Sequence, residues 1–161
     1  MLCKTAMWCC LGLTTNLPHK NYTSHLIAKK LKGKNMEKYL SLSPLALAFI
    51  GDAVHTQFVR EFVLLNEDNL KLSNYHTLAK SFCNAKHQKE VLEKILPTLC
   101  DAEKEVVRRA RNAKSKHKAK NFDEEEYKKA TAFEALIGYL YLSKQSERLN
   151  EILNISVDRE N

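Results

Sequence analysis

The chain is short of the residues that break helices and build loops: its 161 residues include only four glycines and three prolines, while 44% are hydrophobic. That balance argues against a turn-rich scaffold and for a globular, helix-rich domain large enough to bury its own core. No apolar run approaches the ~20 residues that a membrane span requires, so no membrane partner is expected. Period-two alternation is absent, which leaves no sequence support for strands. The five cysteines are odd in number and lack metal-like spacing: Cys3, Cys9 and Cys10 crowd the N-terminus, while Cys83 and Cys100 are isolated. A disulfide framework is thereby disfavoured, and a reducing, cytoplasmic setting fits better.

Acids are missing from residues 1–35, which carry six lysines and hence +6 of the formal net charge of +7. This stretch also lacks helical period and caps. Its apolar part is short and no small-residue cleavage site follows, which argues against a secretory signal; it has no arginine, which argues against a transit peptide. Lys-Gly-Lys-Asn ahead of Met36 reverse-translates to a purine-rich run of the kind that precedes a bacterial start codon. We expect translation to begin at Met36 with 1–35 a misassigned start; a disordered or targeting leader is the other reading. Residues 36–161 are then a single domain of nearly balanced charge, so any nucleic-acid surface in it must be a focused patch. One is present: Lys104 to Lys120 holds eight basic residues against Glu105 alone.

The chain after Met36 reads as all-α. Ser43-Pro44 supplies an N-cap with proline at the first helical position, opening a helix that should run to about Leu65. Ser73 begins another helical stretch, and the apolar period through Val91, Leu92, Ile95 and Leu96 continues until Pro97. Asp101 is expected to cap the next helix, whose apolar face fades in the basic "NAKSKHKAKN". Asp123 is expected to cap a helix opening with three glutamates, favourable against the N-terminal dipole, and running to about Ser143. A short amphipathic segment around Leu149, Ile152 and Leu153 closes the domain.

Two of these helices pose the same problem. "LALAFIGDAV" (45–54) and "ATAFEALIGYLYL" (130–142) are apolar nearly all round, as buried helices are, yet each holds one carboxylate near a glycine: Asp52 beside Gly51, Glu134 four residues before Gly138. A buried ionised carboxylate must be paired, protonated or metal-bound. Each glycine is disfavoured in a helix interior by ~1 kcal/mol relative to alanine, and close approach of two backbones is a physical reason to keep it. A crossing at the glycines would bring Asp52 and Glu134 together as oxygen ligands for a hard cation, Mg²⁺ or Mn²⁺. The spacing is equally satisfied by a buried ion pair, with Lys129 or Arg60 as the counter-charge.

These two motifs, in order and with "NAKHQ" (84–88) and "RRARNAKS" (108–115) between them, resemble the ribonuclease III catalytic domain. The resemblance covers residues ~38–153 and is closer still to the short bacterial form, Mini-ribonuclease III. It implies a helical, dimeric catalytic domain without a double-stranded-RNA-binding domain. Asp52 and Glu134 match the family's metal-binding aspartate and glutamate. Leu45, Ala48 and Thr131 occupy three positions where the longer enzymes carry further acids, the reduced pattern of the Mini form. The implied reaction is Mg²⁺-dependent hydrolysis of double-stranded RNA to 5′-phosphate and 3′-hydroxyl ends, with precursor large-subunit (23S) ribosomal RNA as substrate.

Around that centre, Thr131 shares the face of Glu134 and is assigned a supporting role, either holding a water or packing. His55, one turn beyond Asp52, is a ligand, a proton shuttle or, as the expectation favours, a surface histidine. Arg108, Arg109, Arg111, Lys114, Lys116, Lys118 and Lys120 are the candidate RNA-binding set, since A-form RNA is gripped through phosphates and 2′-hydroxyls. Arg109 points away from the face shared by Arg108 and Arg111, so a structural role competes there. Cutting both strands calls for two sites related by a two-fold axis. The family dimer packs through the signature helix, making Leu47, Phe49, Ile50 and Val54 candidates for either interface or core. A catalytically silent RNA-binding module and a helical protein-interaction module are the competing readings; retention of both acids disfavours the first and the basic patch the second.

Overall fold

The computed structural model describes residues 36–113 and 124–158. The expected leader (1–35), the cap at Asp123, and Lys114, Lys116, Lys118 and Lys120 lie outside the described residues. Among the described residues there are seven α-helices and no strand: α1 (Met36–Leu40), α2 (Pro44–Asn66), α3 (Leu72–Cys83), α4 (Ala85–Ile95), α5 (Asp101–Arg111), α6 (Glu124–Leu142) and α7 (Ser146–Val157), with a 3-10 turn at Leu96–Thr98.

Local chemistry accounts for most of the boundaries. Pro44 opens α2, where its missing N–H loses nothing, and the Ser43 carbonyl accepts the first amides, Ala46 and Leu47, both at 3.0 Å. The Ser43 hydroxyl itself makes no cap bond. Asn84 ends α3 and caps α4, its side chain accepting from the His87 amide at 2.9 Å. Asp101 is the first residue of α5 rather than its cap. The cap position belongs to Cys100, whose amide donates to the Glu103 carboxylate at 2.9 Å in a capping box. α6 stops at Leu142, where Lys144 takes a left-handed φ of 63° and the Gln145 amide closes back on the Leu140 carbonyl at 3.1 Å.

α6 is the central element, with α2, α4, α5 and, less extensively, α7 packed against it. Every residue from Ala130 to Leu140 except Glu134 is buried, as an all-round apolar helix predicts. α2 departs from the same expectation. It buries Leu47, Ala48, Gly51, His55, Val59 and Val63 along one stripe, while Leu45, Phe49 and Asp52 face solvent. α6 is covered on all sides along this stretch, whereas α2 has one face uncovered. A second cluster joins the C-terminal half of α2 to α3 and α7 through Val59, Val63, Ala79, Phe82 and Val157.

The two glycines do what close packing demands. A Cβ on Gly51 would fall on the backbone carbonyl of Glu134 and lie 2.8 Å from the Gly138 nitrogen. One on Gly138 would fall on the Leu47 carbonyl and lie 2.9 Å from Ile50 Cγ2. The backbones of α2 and α6 therefore touch at this crossing, with no room for any side chain on either glycine.

Candidate metal and RNA site

Because the helices meet backbone to backbone at Gly51 and Gly138, the side chains one step away converge on the open side of the crossing. A cavity of about 350 Å³ there is lined by Leu45, Ala48, Phe49 and Asp52 of α2 and by Tyr127, Thr131 and Glu134 of α6. Asp52, Thr131 and Glu134 thus share one lining, with Tyr127, which the sequence reading did not single out, as a fourth oxygen-bearing side chain. A larger groove of about 600 Å³ lies between the ends of α2 and α7, lined by Phe62, Asn66, Ile155 and Val157 among others, and none of the sequence candidates reaches it.

The two acids differ in environment. Asp52 is exposed, contrary to the expectation of burial, because it lies on the uncovered face of α2; it accepts a hydrogen bond from Thr56 at 3.3 Å. Glu134 is half-buried, and its pKa is pushed up to about 7, first by burial and then by the negative charge of Asp52; the side-chain amide of Gln88 pulls it partly back. Among the described residues no lysine or arginine pairs with either acid. Lys129, one proposed counter-charge, is taken by Glu93 at 2.7 Å and Glu125 at 3.1 Å. Nor is there, among the described residues, any group of three or more His, Cys, Asp or Glu side chains arranged to hold a metal. What the crossing offers is two like charges and neutral oxygens around one small space.

His55 corrects the sequence expectation. It is 0% exposed, turned into the core rather than out to solvent, with its ring edge-to-face on Phe133 at 5.1 Å. The Ser156 hydroxyl donates to the Leu153 carbonyl at 2.7 Å and so accepts from His55 Nε2 at 3.2 Å, leaving Nδ1 without a partner. Burial, followed by the neighbouring His87, lowers its pKa to about 4. A position i+3 from Asp52 lies near it along the helix, but His55 belongs to the buried stripe of α2 and Asp52 to its uncovered face. Of the interface candidates, Leu47 is in the core beneath Gly138, Ile50 and Val54 are half-buried, and Phe49 is 82% exposed.

The basic set divides in the same way. Arg108 is exposed and forked onto Glu105 at 2.7 and 2.8 Å. Arg111 is exposed and meets Glu125 at 3.5 Å. Arg109 is half-buried and donates to the carbonyls of Leu40 and, at 2.9 Å, Leu42, tying α5 to the segment ahead of α2. Its guanidinium is committed to the backbone, as the structural reading of that residue anticipates.

The chain is similar to known proteins over most of the described residues. The Ribonuclease III domain family matches residues 45–145, which span both acids and the crossing. The Mini-ribonuclease 3 of Brevibacillus brevis is 49% identical over 111 residues, covering 69% of this chain and 82% of that protein. The Mini-ribonuclease 3 of Symbiobacterium thermophilum is 44% identical over 119 residues, covering 74% and 91%. A crystal structure of a protein from Fusobacterium nucleatum superimposes with a TM-score of 0.65 at 34% identity, covering 73% of this chain and 93% of its own. With the family match, the identity to these relatives and the shared fold together, the chain belongs to the ribonuclease III family, in its Mini-ribonuclease 3 branch.

Proposed function

We propose that this chain cleaves double-stranded RNA at the α2–α6 crossing, with Asp52 and Glu134 holding a divalent cation, Mg²⁺ or Mn²⁺, between them. As a member of the ribonuclease III family it is an endoribonuclease. The observation that carries the site assignment is that the two acids share one pocket without a cationic partner, close enough that the charge of Asp52 helps push the Glu134 carboxyl up to about 7. Mutual repulsion of this kind is relieved by a cation. Oxygen-only donors, few in number, suit a small hard ion that keeps several of its own waters and is completed by substrate phosphates.

When bound, such an ion supplies a lowered water pKa and neutralises charge on the phosphate. The chain's residues do the rest. Asp52 and Glu134 supply the negative charge that holds the ion, and the Thr131 hydroxyl, at the same wall, orients a water. Arg108, Arg111 and the lysines at 114, 116, 118 and 120 supply donors to the phosphates of an A-form duplex. Two copies arranged about a two-fold axis would place one site on each strand, and the exposed Phe49 and Leu45 of α2 are the apolar surface that such a dimer would cover. Precursor 23S ribosomal RNA in the cytoplasm is the proposed substrate, on the strength of the resemblance to the Mini branch.

Cleavage of a duplex RNA with Mg²⁺ or with a chelator, by the wild type, Asp52→Asn and Glu134→Gln, tests this reading. Cutting that persists in the chelator, or that survives either substitution, refutes it.

A further inference from the structure

Gln88 is unassigned by anything so far except its place in a shared motif. It stands in the first turn of α4, 2% exposed, with its side chain against Glu134. That turn is fixed from two directions. Asn84 caps it through the His87 amide at 2.9 Å, and His87 Nε2 donates to the Ser156 carbonyl of α7 at 2.7 Å. Farther along, Glu93 of α4 is bound to Lys129 of α6 at 2.7 Å. α4 is thereby held at both ends against the elements that flank Glu134, and Gln88 has little freedom to move.

As a packing residue glutamine is a poor choice. Its amide has two donors and an acceptor to satisfy, and Nε2 is buried with no hydrogen-bond partner. Leucine or methionine would fill a similar volume without that penalty. As a partner for a carboxylate, though, glutamine has one property that lysine and arginine lack: it donates a hydrogen bond without neutralising the charge. A cationic partner would satisfy Glu134 and compete with a bound ion. The other acid follows the same pattern, since Asp52 also receives its hydrogen bond from a neutral group, Thr56.

We propose that Gln88 is a positioning residue: its buried amide, with no other partner for Nε2, is the donor that the ionised Glu134 carboxylate takes, holding that carboxylate in the pocket shared with Asp52 as the seat for a divalent cation. This rests on the reading of Asp52 and Glu134 as the cation-holding pair. Residues that orient a ligand without touching the ion change affinity by roughly 10- to 100-fold when removed.

The test is Mn²⁺ binding to the protein without RNA, followed by the electron paramagnetic resonance of free Mn²⁺, for the wild type, Gln88→Leu, Gln88→Met and Glu134→Gln. The expected result is a Gln88→Leu protein whose metal-free melting temperature equals or exceeds that of the wild type, but which binds Mn²⁺ about tenfold or more weakly. In the cleavage assay its activity at low Mn²⁺ falls and returns as Mn²⁺ is raised, with KM for RNA unchanged. Should Gln88→Leu fail to fold, Gln88→Met carries the same expectation. Unchanged Mn²⁺ affinity in the folded Gln88 variants, alongside weakened binding in Glu134→Gln, overturns the role of Gln88 and leaves the site standing. Affinity that Glu134→Gln does not weaken overturns both.

Discussion

Two glutamates on neighbouring helices show how differently one fold can treat an acid taken partly or wholly out of water. Glu103 of α5 is 3% exposed and fully engaged: Arg148 approaches through Nε at 3.0 Å and Nη2 at 3.3 Å, and the Cys100 amide donates at 2.9 Å. Glu134 of α6 is half-buried, but it faces a second acid and has a neutral amide beside it. The first is a helix cap locked to a guanidinium, an acid whose charge is spent on structure. The second is left with its charge uncompensated in a pocket that opens to solvent. An acid with no counter-charge destabilises the fold unless something outside the chain completes it, and that is the physical mark separating the two.

The largest effect should come from neutralising the unpaired acids. Asp52→Asn and Glu134→Gln should each reduce duplex-RNA cleavage at least about 100-fold, the scale of several kcal/mol of lost charge stabilisation, while melting temperatures hold or rise. A fall in stability with activity kept would place Glu134 in the same class as Glu103. Next comes the crossing itself. Gly51→Ala drives a Cβ into the Glu134 backbone and should cost about 3 kcal/mol or more by urea unfolding, with cleavage lost as the acids separate.

Arg148→Met tests the paired acid. It strands the Glu103 carboxylate and should destabilise by about 3 kcal/mol, while the folded fraction keeps its specific activity. His55 is a third kind of buried group, one kept neutral. Its pKa falls from 6.5 to about 4 on folding, so the stability it contributes is fully present above pH 6.5 and is lost as pH falls through about 4. Wild type should lose about 2–3 kcal/mol across that window on this account, and His55→Gln should remove that part of the slope. Smallest of all, Lys144→Gly relieves a left-handed residue just past the end of α6, outside the lining of the acid pocket; it should add less than ~1 kcal/mol and leave cleavage unchanged.

Much of the outline was legible in local sequence chemistry. Ser43-Pro44 marked the start of α2, the apolar period through Val91 and Ile95 marked α4, and the glycine beside each solitary acid marked where α2 and α6 meet. Where the reading missed, a side-chain contact decided, in one case local and in another far along the chain. Asp101 resembles a cap, but the Glu103 side chain reaches the Cys100 amide and sets the boundary one residue earlier. His55 looked like a surface residue on a helix carrying Asp52, yet Ser156, 101 positions away, draws it inward. Gln88 was present in a quoted motif without a role, because its meaning depends on Glu134 and nothing in its own helix points there.

What the sequence determined by itself was the kind of protein: an all-helical domain with two acid-bearing apolar helices, a concentrated basic stretch and the motif order of the ribonuclease III family. Those features rest on spacing along one helix, which is fixed by 3.6 residues per turn. What only the tertiary structure decided was which face of each helix is covered. It put Leu47 and His55 inside and Phe49 and Asp52 outside, gave Arg109 to two backbone carbonyls, and set Gln88 against Glu134. Periodicity says that residues share a face; only the neighbours that pack on that face decide whether it meets oil, water or an opposing charge.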